Sequence, residues 1–127
     1  MSRAVLDASA LLALFLGEPG GTSVAAIIAR AAMSAVNLSE VASRLYDRGM
    51  NGAEVQLWVR RYEVEVVPFN REDALASAAL RPLTRHLGLS LGDCACLALA
   101  RRLGLPAMTA DRAWSQLDLG IPVQVIR

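Results

Sequence analysis

Four carboxylates stand where this chain passes from an apolar strand or a turn into a helix: Asp7, Glu40, Asp93 and Asp111. Asp7 follows a short strand directly, in Val5-Leu6-Asp7-Ala8-Ser9, and Asp111 follows a buried apolar run that ends at Thr109. Glu40 and Asp93 lie in the first turns of helices that open at Asn37-Leu38-Ser39-Glu40 and Ser90-Leu91-Gly92-Asp93. Each acid taken alone reads as a helix cap. Asp7 and Asp111 suit the N-cap position, the other two resemble capping boxes, and all four suit the positive end of a helix dipole. Taken together they read differently. In an open α/β sheet the carboxyl ends of the strands face the functional crevice. Acids gathered there repel one another and call for a cation. Oxygen-only donors suit Mg2+ or Mn2+ rather than zinc. Such an ion lowers the pKa of a bound water and neutralises charge on a phosphoryl group. Ser9 and Thr109 are placed to hydrogen-bond the cluster in support.

Other chemistries are excluded by composition. The 13 basic residues are all arginine, so no lysine is present for a Walker A loop, a Schiff base or an aspartyl-phosphate partner. The glycine-rich turn Gly17 to Thr22 lacks the dinucleotide spacing as well. With His86 the only histidine and no cysteine pair at ligand spacing, a zinc site or a Ser-His-Asp triad has little to stand on. Cys94 and Cys96, two apart on a helix, point to different faces and read as small core residues of a reducing compartment. Net charge is only +1, so any contact with nucleic acid must be local. The N-terminal run MSRAVLDASALLALFLG faintly resembles a signal peptide, but Asp7 interrupts it. No stretch reaches membrane-spanning length, and a cytoplasmic location without membrane contact is expected.

The elements that must position the acids alternate. Strands are predicted at Arg3 to Leu6, Met33 to Val36, Val64 to Val67, Pro106 to Met108 and Pro122 to Ile126. Between them lie an all-round apolar helix from Ala10 to Leu16 and a helix SVAAIIARA begun at Thr22. A third helix runs from Asn37 to Gly49, and a fourth, amphipathic, is capped by Asn51. A further helix runs from Arg71 to Leu80, where Pro82 breaks it, and a last long one from Ser90 to Gly104. The pattern is that of one α/β domain over residues 1–127, with a mainly parallel sheet of roughly five strands. Apolar content of 54% is high for so small a chain and predicts surface covered by a partner or a second copy.

The four acidic segments, in this order and at these separations, resemble the motifs of the PIN-domain family. More narrowly they resemble those of VapC-type toxin ribonucleases of toxin–antitoxin pairs. Val5 to Ser9 resembles the opening motif, Ser34 to Glu40 the second, Ser90 to Asp93 with its alanine- and leucine-rich helix the third, and Thr109 to Asp111 the fourth. The resemblance implies a three-layer α/β/α fold and an Mg2+- or Mn2+-dependent endoribonuclease acting on RNA. Asp7, Glu40, Asp93 and Asp111 would be its metal-binding catalytic acids, with Ser9 and Thr109 in support. It also implies a homodimer and a small antitoxin protein as partner. Arg81, Arg85 and Arg112 lie near the motifs in sequence and are candidate phosphate contacts. The rival reading is a non-catalytic α/β module that binds a protein through its apolar helices.

Overall fold

The computed structural model describes residues 2–127. Five parallel strands form one sheet: β1 (Ala4–Leu6), β2 (Ala31–Ser34), β3 (Glu65–Val67), β4 (Ala107–Thr109) and β5 (Val123–Val125), in the order β3-β2-β1-β4-β5. Strand β1 is central, pairing Val5 with both Ala32 and Ala107. Because side chains alternate along a strand, the sheet feeds two cores. Leu6, Met33 and Met108 enter one face, where they meet Leu11, Phe15, Val41 and Leu45. Val5, Ala32 and Ala107 enter the other, against Cys96, Leu97, Ala100 and Trp114. Helices α1 (Ala8–Leu16), α3 (Ala35–Asp47) and α4 (Gly52–Val59) cover the first face, and α7 (Leu91–Leu103) lies on the second. Helix α5 (Arg71–Ala79) packs on α7, followed by the short α6 (Arg81–Thr84). This is the α/β/α sandwich with a parallel sheet that the alternation predicts.

Local chemistry fixes the helix ends. Asn51–Glu54, Asn70–Asp73 and Ser90–Asp93 each form a reciprocal capping box, satisfying two otherwise orphaned N–H groups apiece. Gly17 and Gly104 end α1 and α7 in the left-handed conformation that glycine adopts without strain.

Three sequence expectations need correction. The helix expected from Thr22 onward is short: α2 (Gly21–Ala25) gives way to a 3-10 turn at Ile28–Arg30. Strand β2 therefore begins at Ala31, earlier than the predicted Met33, because the alanines that look like a helix tail sit between β1 and β3. Ser34, whose hydroxyl accepts the Val36 N–H at 3.2 Å, then caps α3 in place of Asn37. As expected, α5 ends ahead of Pro82, at Ala79 with Leu80 as its C-cap, and the proline then sits in the first turn of α6, where its missing N–H costs nothing. Helix α1 is apolar all round mainly because it is interior, with Ala10, Leu11, Leu12, Ala13 and Phe15 buried in its own chain. Both cysteines are buried and unpaired, as the core reading expects.

Candidate active site

The sheet changes winding direction between β1 and β4. The chain goes from β1 outward through β2 to β3, then crosses to the other side of β1 for β4 and β5. At such a switch point the loops leave neighbouring strands in opposite directions and open a crevice at the carboxyl edge. Asp7 leaves β1 there, and its N–H still donates to Met108 O of β4 at 3.0 Å. Its side chain caps α1 as predicted, with Oδ1 accepting the Ala10 N–H at 2.8 Å. The carboxylate does more than cap. Oδ1 also accepts the Ser9 hydroxyl at 2.7 Å, and Oδ2 accepts the Thr109 hydroxyl at 2.5 Å. Those hydroxyls in turn accept backbone donors of the β4 loop: Ala110 N–H to Ser9 Oγ at 2.9 Å and Asp111 N–H to Thr109 Oγ1 at 3.0 Å. Both hydroxyl protons are thus committed to Asp7, and the β4 loop that carries Asp111 is tied to β1 through them.

Glu40 and Asp93 come from the helices on opposite faces of the sheet. Asp93 sits at the third position of α7, its Oδ2 accepting the Ser90 N–H at 2.8 Å. Glu40 is not in a first turn, contrary to the sequence reading; the earlier start of α3 puts it one turn further in. Its carboxylate lies directly over Gly92, the residue before Asp93. A Cβ at position 92 would fall 2.5 Å from Glu40 Oε2. The close approach of α3 to the start of α7 therefore needs glycine. Since a flexible carboxylate tip is what would have to move, Gly92→Ala is expected to turn Glu40 aside with stability held within about 1 kcal/mol, alanine being the better helix former. The 13C resonance of the Glu40 carboxyl should shift in that variant. An unchanged resonance would show that the contact does not place Glu40.

All four predicted acids line one cleft, together with Ser9 and with Leu12, Glu18, Ser39, Ser43, Arg44 and Arg127. Asp7 is buried, Glu40 and Asp93 are half-buried, and Asp111 is exposed, capping the 3-10 turn Arg112–Gln116 through its bond to the Ala113 N–H at 3.0 Å. Arg81, Arg85 and Arg112 do not line the cleft. Arg81 is turned to Leu89 O at 3.1 Å and Arg112 to Arg127 O at 3.2 Å. The guanidinium groups on the cleft are instead Arg44, one turn after Glu40 on α3, and the terminal Arg127. Arg127 stands 3.7 Å from Glu18. The spacing from Glu40 to Arg44 was a usable signal, since residues four apart share a helix face. Nothing local could have found Arg127.

The electrostatics of the cleft are set first by burial, with the neighbouring acids adding to it. Burial pushes Asp7 up from 3.8 to about 6, against the lowering effect of its three hydrogen bonds, and the charge of Asp93 adds to the rise. Cys96, beneath the cluster, has its thiol pushed well up by burial and by the charges of Asp7, Asp93 and Glu40. It stays a neutral thiol. Among the described residues no three His, Cys, Asp or Glu side chains close tightly enough on one point to hold a metal ion as they stand. The acids line a shared cleft; they do not form a preformed cage.

Fold and site together define an α/β domain with an acid-lined cleft at the switch point of a parallel sheet. The family model described as PIN domain matches residues 4–119, and the chain belongs to the PIN-domain family. Solved structures share the fold. A chain of a toxin–antitoxin complex from Klebsiella pneumoniae is 22% identical, with 98% of each chain covered and a TM-score of 0.73. One in the crystal structure of VapBC2 from Rickettsia felis, bound to a DNA fragment from their promoter, is 13% identical, with 96% of this chain and 97% of that chain covered and a TM-score of 0.72. Mycobacterium tuberculosis VapC20, a sarcin-ricin loop cleaving toxin, is 16% identical over 94% of this chain and 100% of its own, with a TM-score of 0.72. No curated protein sequence matches the chain.

Proposed function

We propose that this chain is a metal-dependent endoribonuclease that hydrolyses RNA phosphodiester bonds, the toxin of a type II toxin–antitoxin pair. The observation that carries the reading is the meeting of Asp7, Glu40, Asp93 and Asp111 on one cleft at the carboxyl edge of the sheet. Helix starts share the carboxyl edge of any parallel sheet, but Glu40 lies a turn inside α3, caps nothing, and still lines the cleft. Toxin–antitoxin proteins among the structural neighbours, one of them a sarcin-ricin loop cleaving toxin, support the biological context.

The donor set fits Mg2+ or Mn2+. It is all oxygen, and the desolvated Asp7, crowded by Asp93, lacks the positive charge that would balance it. An open cleft also suits Mg2+, which keeps several waters and takes only one or two carboxylates directly. Asp7, Glu40, Asp93 and Asp111 would hold the ion. When bound, it supplies a water of lowered pKa and neutralises charge on the phosphoryl group. The rest is done by the chain. Ser9 and Thr109 keep the Asp7 lone pairs aimed by holding both carboxylate oxygens. The starts of α1 and α7 favour negative charge beside them, on the acids and on a phosphodiester alike. Arg44 and Arg127 supply cationic contacts for the RNA backbone along the cleft walls.

The surface is compatible with a second copy and an antitoxin as partners. Tyr46, Leu57, Leu75, Leu83 and Leu91 are exposed large apolar side chains, which a second copy and a small antitoxin would cover. Among the described residues no helix is long and apolar enough to cross a membrane. The test uses the purified chain on a panel of RNAs with Mg2+, Mn2+ or EDTA. Cleavage with either ion and none in EDTA is expected. RNA left intact in all three buffers, with no response of the protein to either ion, would leave the protein-binding module as the better account.

A further inference from the structure

Asn37 is the residue whose part in the molecule its position in the sequence hides. It is 1% exposed, in the first turn of α3, where Ser34 already provides the cap. Asparagine is a poor choice for a helix interior, since its amide competes with the backbone. Here both amide hydrogens are used. Nδ2 donates to Glu40 Oε1 at 2.8 Å and, across to the other layer, to Gly92 O at 3.0 Å. The orientation is forced, because a flipped amide would set Oδ1 against a carboxylate and a carbonyl, neither of which can donate. The consequence is an Oδ1 that is buried with no partner. An orphaned buried acceptor is a cost to stability.

Neither partner needs this bond for its own satisfaction. Gly92 O lies at the start of α7 and accepts from the helix ladder, and Glu40 is half-buried and reaches solvent. What the bond fixes is direction. It points the Glu40 carboxylate at the start of α7, over the one residue there that lacks a Cβ and beside Asp93.

We propose that Asn37 is a positioning residue of the acid site: its amide clamps Glu40 against Gly92 so that the carboxylates of Glu40 and Asp93 face one ion. This rests on the reading of the cleft as a divalent-cation site. A core residue kept for stability would be better served by an apolar side chain, which leaves no unpaired oxygen; leucine keeps the branch at Cγ in a larger volume. A positioning residue is not replaceable in that way.

The experiment measures Mn2+ binding by calorimetry, without RNA, and melting in EDTA, on the full chain. Asn37→Leu is expected to fold, the overpacking by its larger methyl groups being set against relief of the orphaned oxygen, and to bind Mn2+ about 10–100-fold more weakly, the usual loss when a ligand's hydrogen-bond partner is removed. Glu40→Gln should weaken binding too. Adding Asn37→Leu to it should cost less than about twofold more, because two residues that act as a unit are not additive. Asn37→Ser, which keeps a polar atom but cannot reach Glu40, carries the same measurement should the leucine variant fail to fold. Wild-type affinity in either folded variant, or an equal further loss in the Glu40→Gln background, would overturn the assignment while the cation site stands. A wild-type chain that binds no Mn2+ would overturn both.

Discussion

Asp7→Asn melts higher than wild type in EDTA at pH 7.5, by roughly 5–10 °C for a chain of this size. The folded Asp7 keeps its proton to about pH 6, whereas the unfolded chain releases it near 3.8. Between those values the folded state binds more protons, so stability falls as pH rises through that window. Above about pH 6 the whole penalty is present, and a shift of this size corresponds to about 3 kcal/mol. Asparagine removes the charge while its Oδ1 still accepts from Ser9 and Ala10, so a large part of the penalty is regained. At pH 4 the wild-type carboxyl is largely protonated, and the advantage of the variant should nearly vanish. Mg2+ at pH 7.5 should raise the wild-type melting temperature by linkage, since only the folded cluster holds the ion well. The variant should gain little and lose its lead. Melting curves at two pH values, with and without Mg2+, check all of this. Equal melting of the two proteins in every buffer would mean that Asp7 is an ordinary cap under no electrostatic strain.

The sequence made Asp7, Asp93 and Asp111 legible because each stands next to a short apolar run with a cap-forming residue, a local pattern that survives in one dimension. Ser9 and Thr109 were legible for the same reason, and the hydroxyl bonds to Asp7 are where a reading of the two loops as neighbours would put them. The parallel sheet followed from alternation. The register of β2 did not. Ala31 and Ala32 favour helix on intrinsic grounds, and only their place between β1 and β3 makes them strand. That slip turned Asn37 into an apparent cap and hid its bond to Glu40 and Gly92. The arginines failed for a related reason. Arg81, Arg85 and Arg112 are close to the motifs along the chain, whereas Arg127 reaches the cleft because β5 lies beside β4. The all-round apolarity of α1 does not by itself tell burial from cover by a partner, and the chain buries five of its nine residues itself. Sequence shows which residues are compatible with a site. The switch point of the sheet decides which of them meet.

Asp93→Asn is expected to abolish most cleavage, on the order of 10²–10³-fold, the usual cost of one electrostatic partner in a reaction centre. The fold should remain intact. Asp93 belongs to a capping box in which its Oδ2 accepts the Ser90 N–H and Ser90 Oγ accepts the Asp93 N–H. An asparagine Oδ1 takes over the first bond and leaves the second untouched. The lost charge at the helix start costs about 0.3–1 kcal/mol, and relief of the repulsion with Asp7 offsets part of it. A matched control exists within the same chain. Asn51–Glu54 at the start of α4 is the same motif with the same pair of bonds, at 2.9 and 3.1 Å, but it is exposed and away from the acid cleft. Glu54→Gln makes the same chemical change in the same kind of cap and should leave cleavage at the wild-type rate. Rates on one RNA substrate in Mn2+, with melting curves for both variants, separate the two accounts of the acids. If they act only as caps, Asp93→Asn and Glu54→Gln behave alike. If they form one centre, only the variant on the cleft loses activity, and it does so without losing its fold.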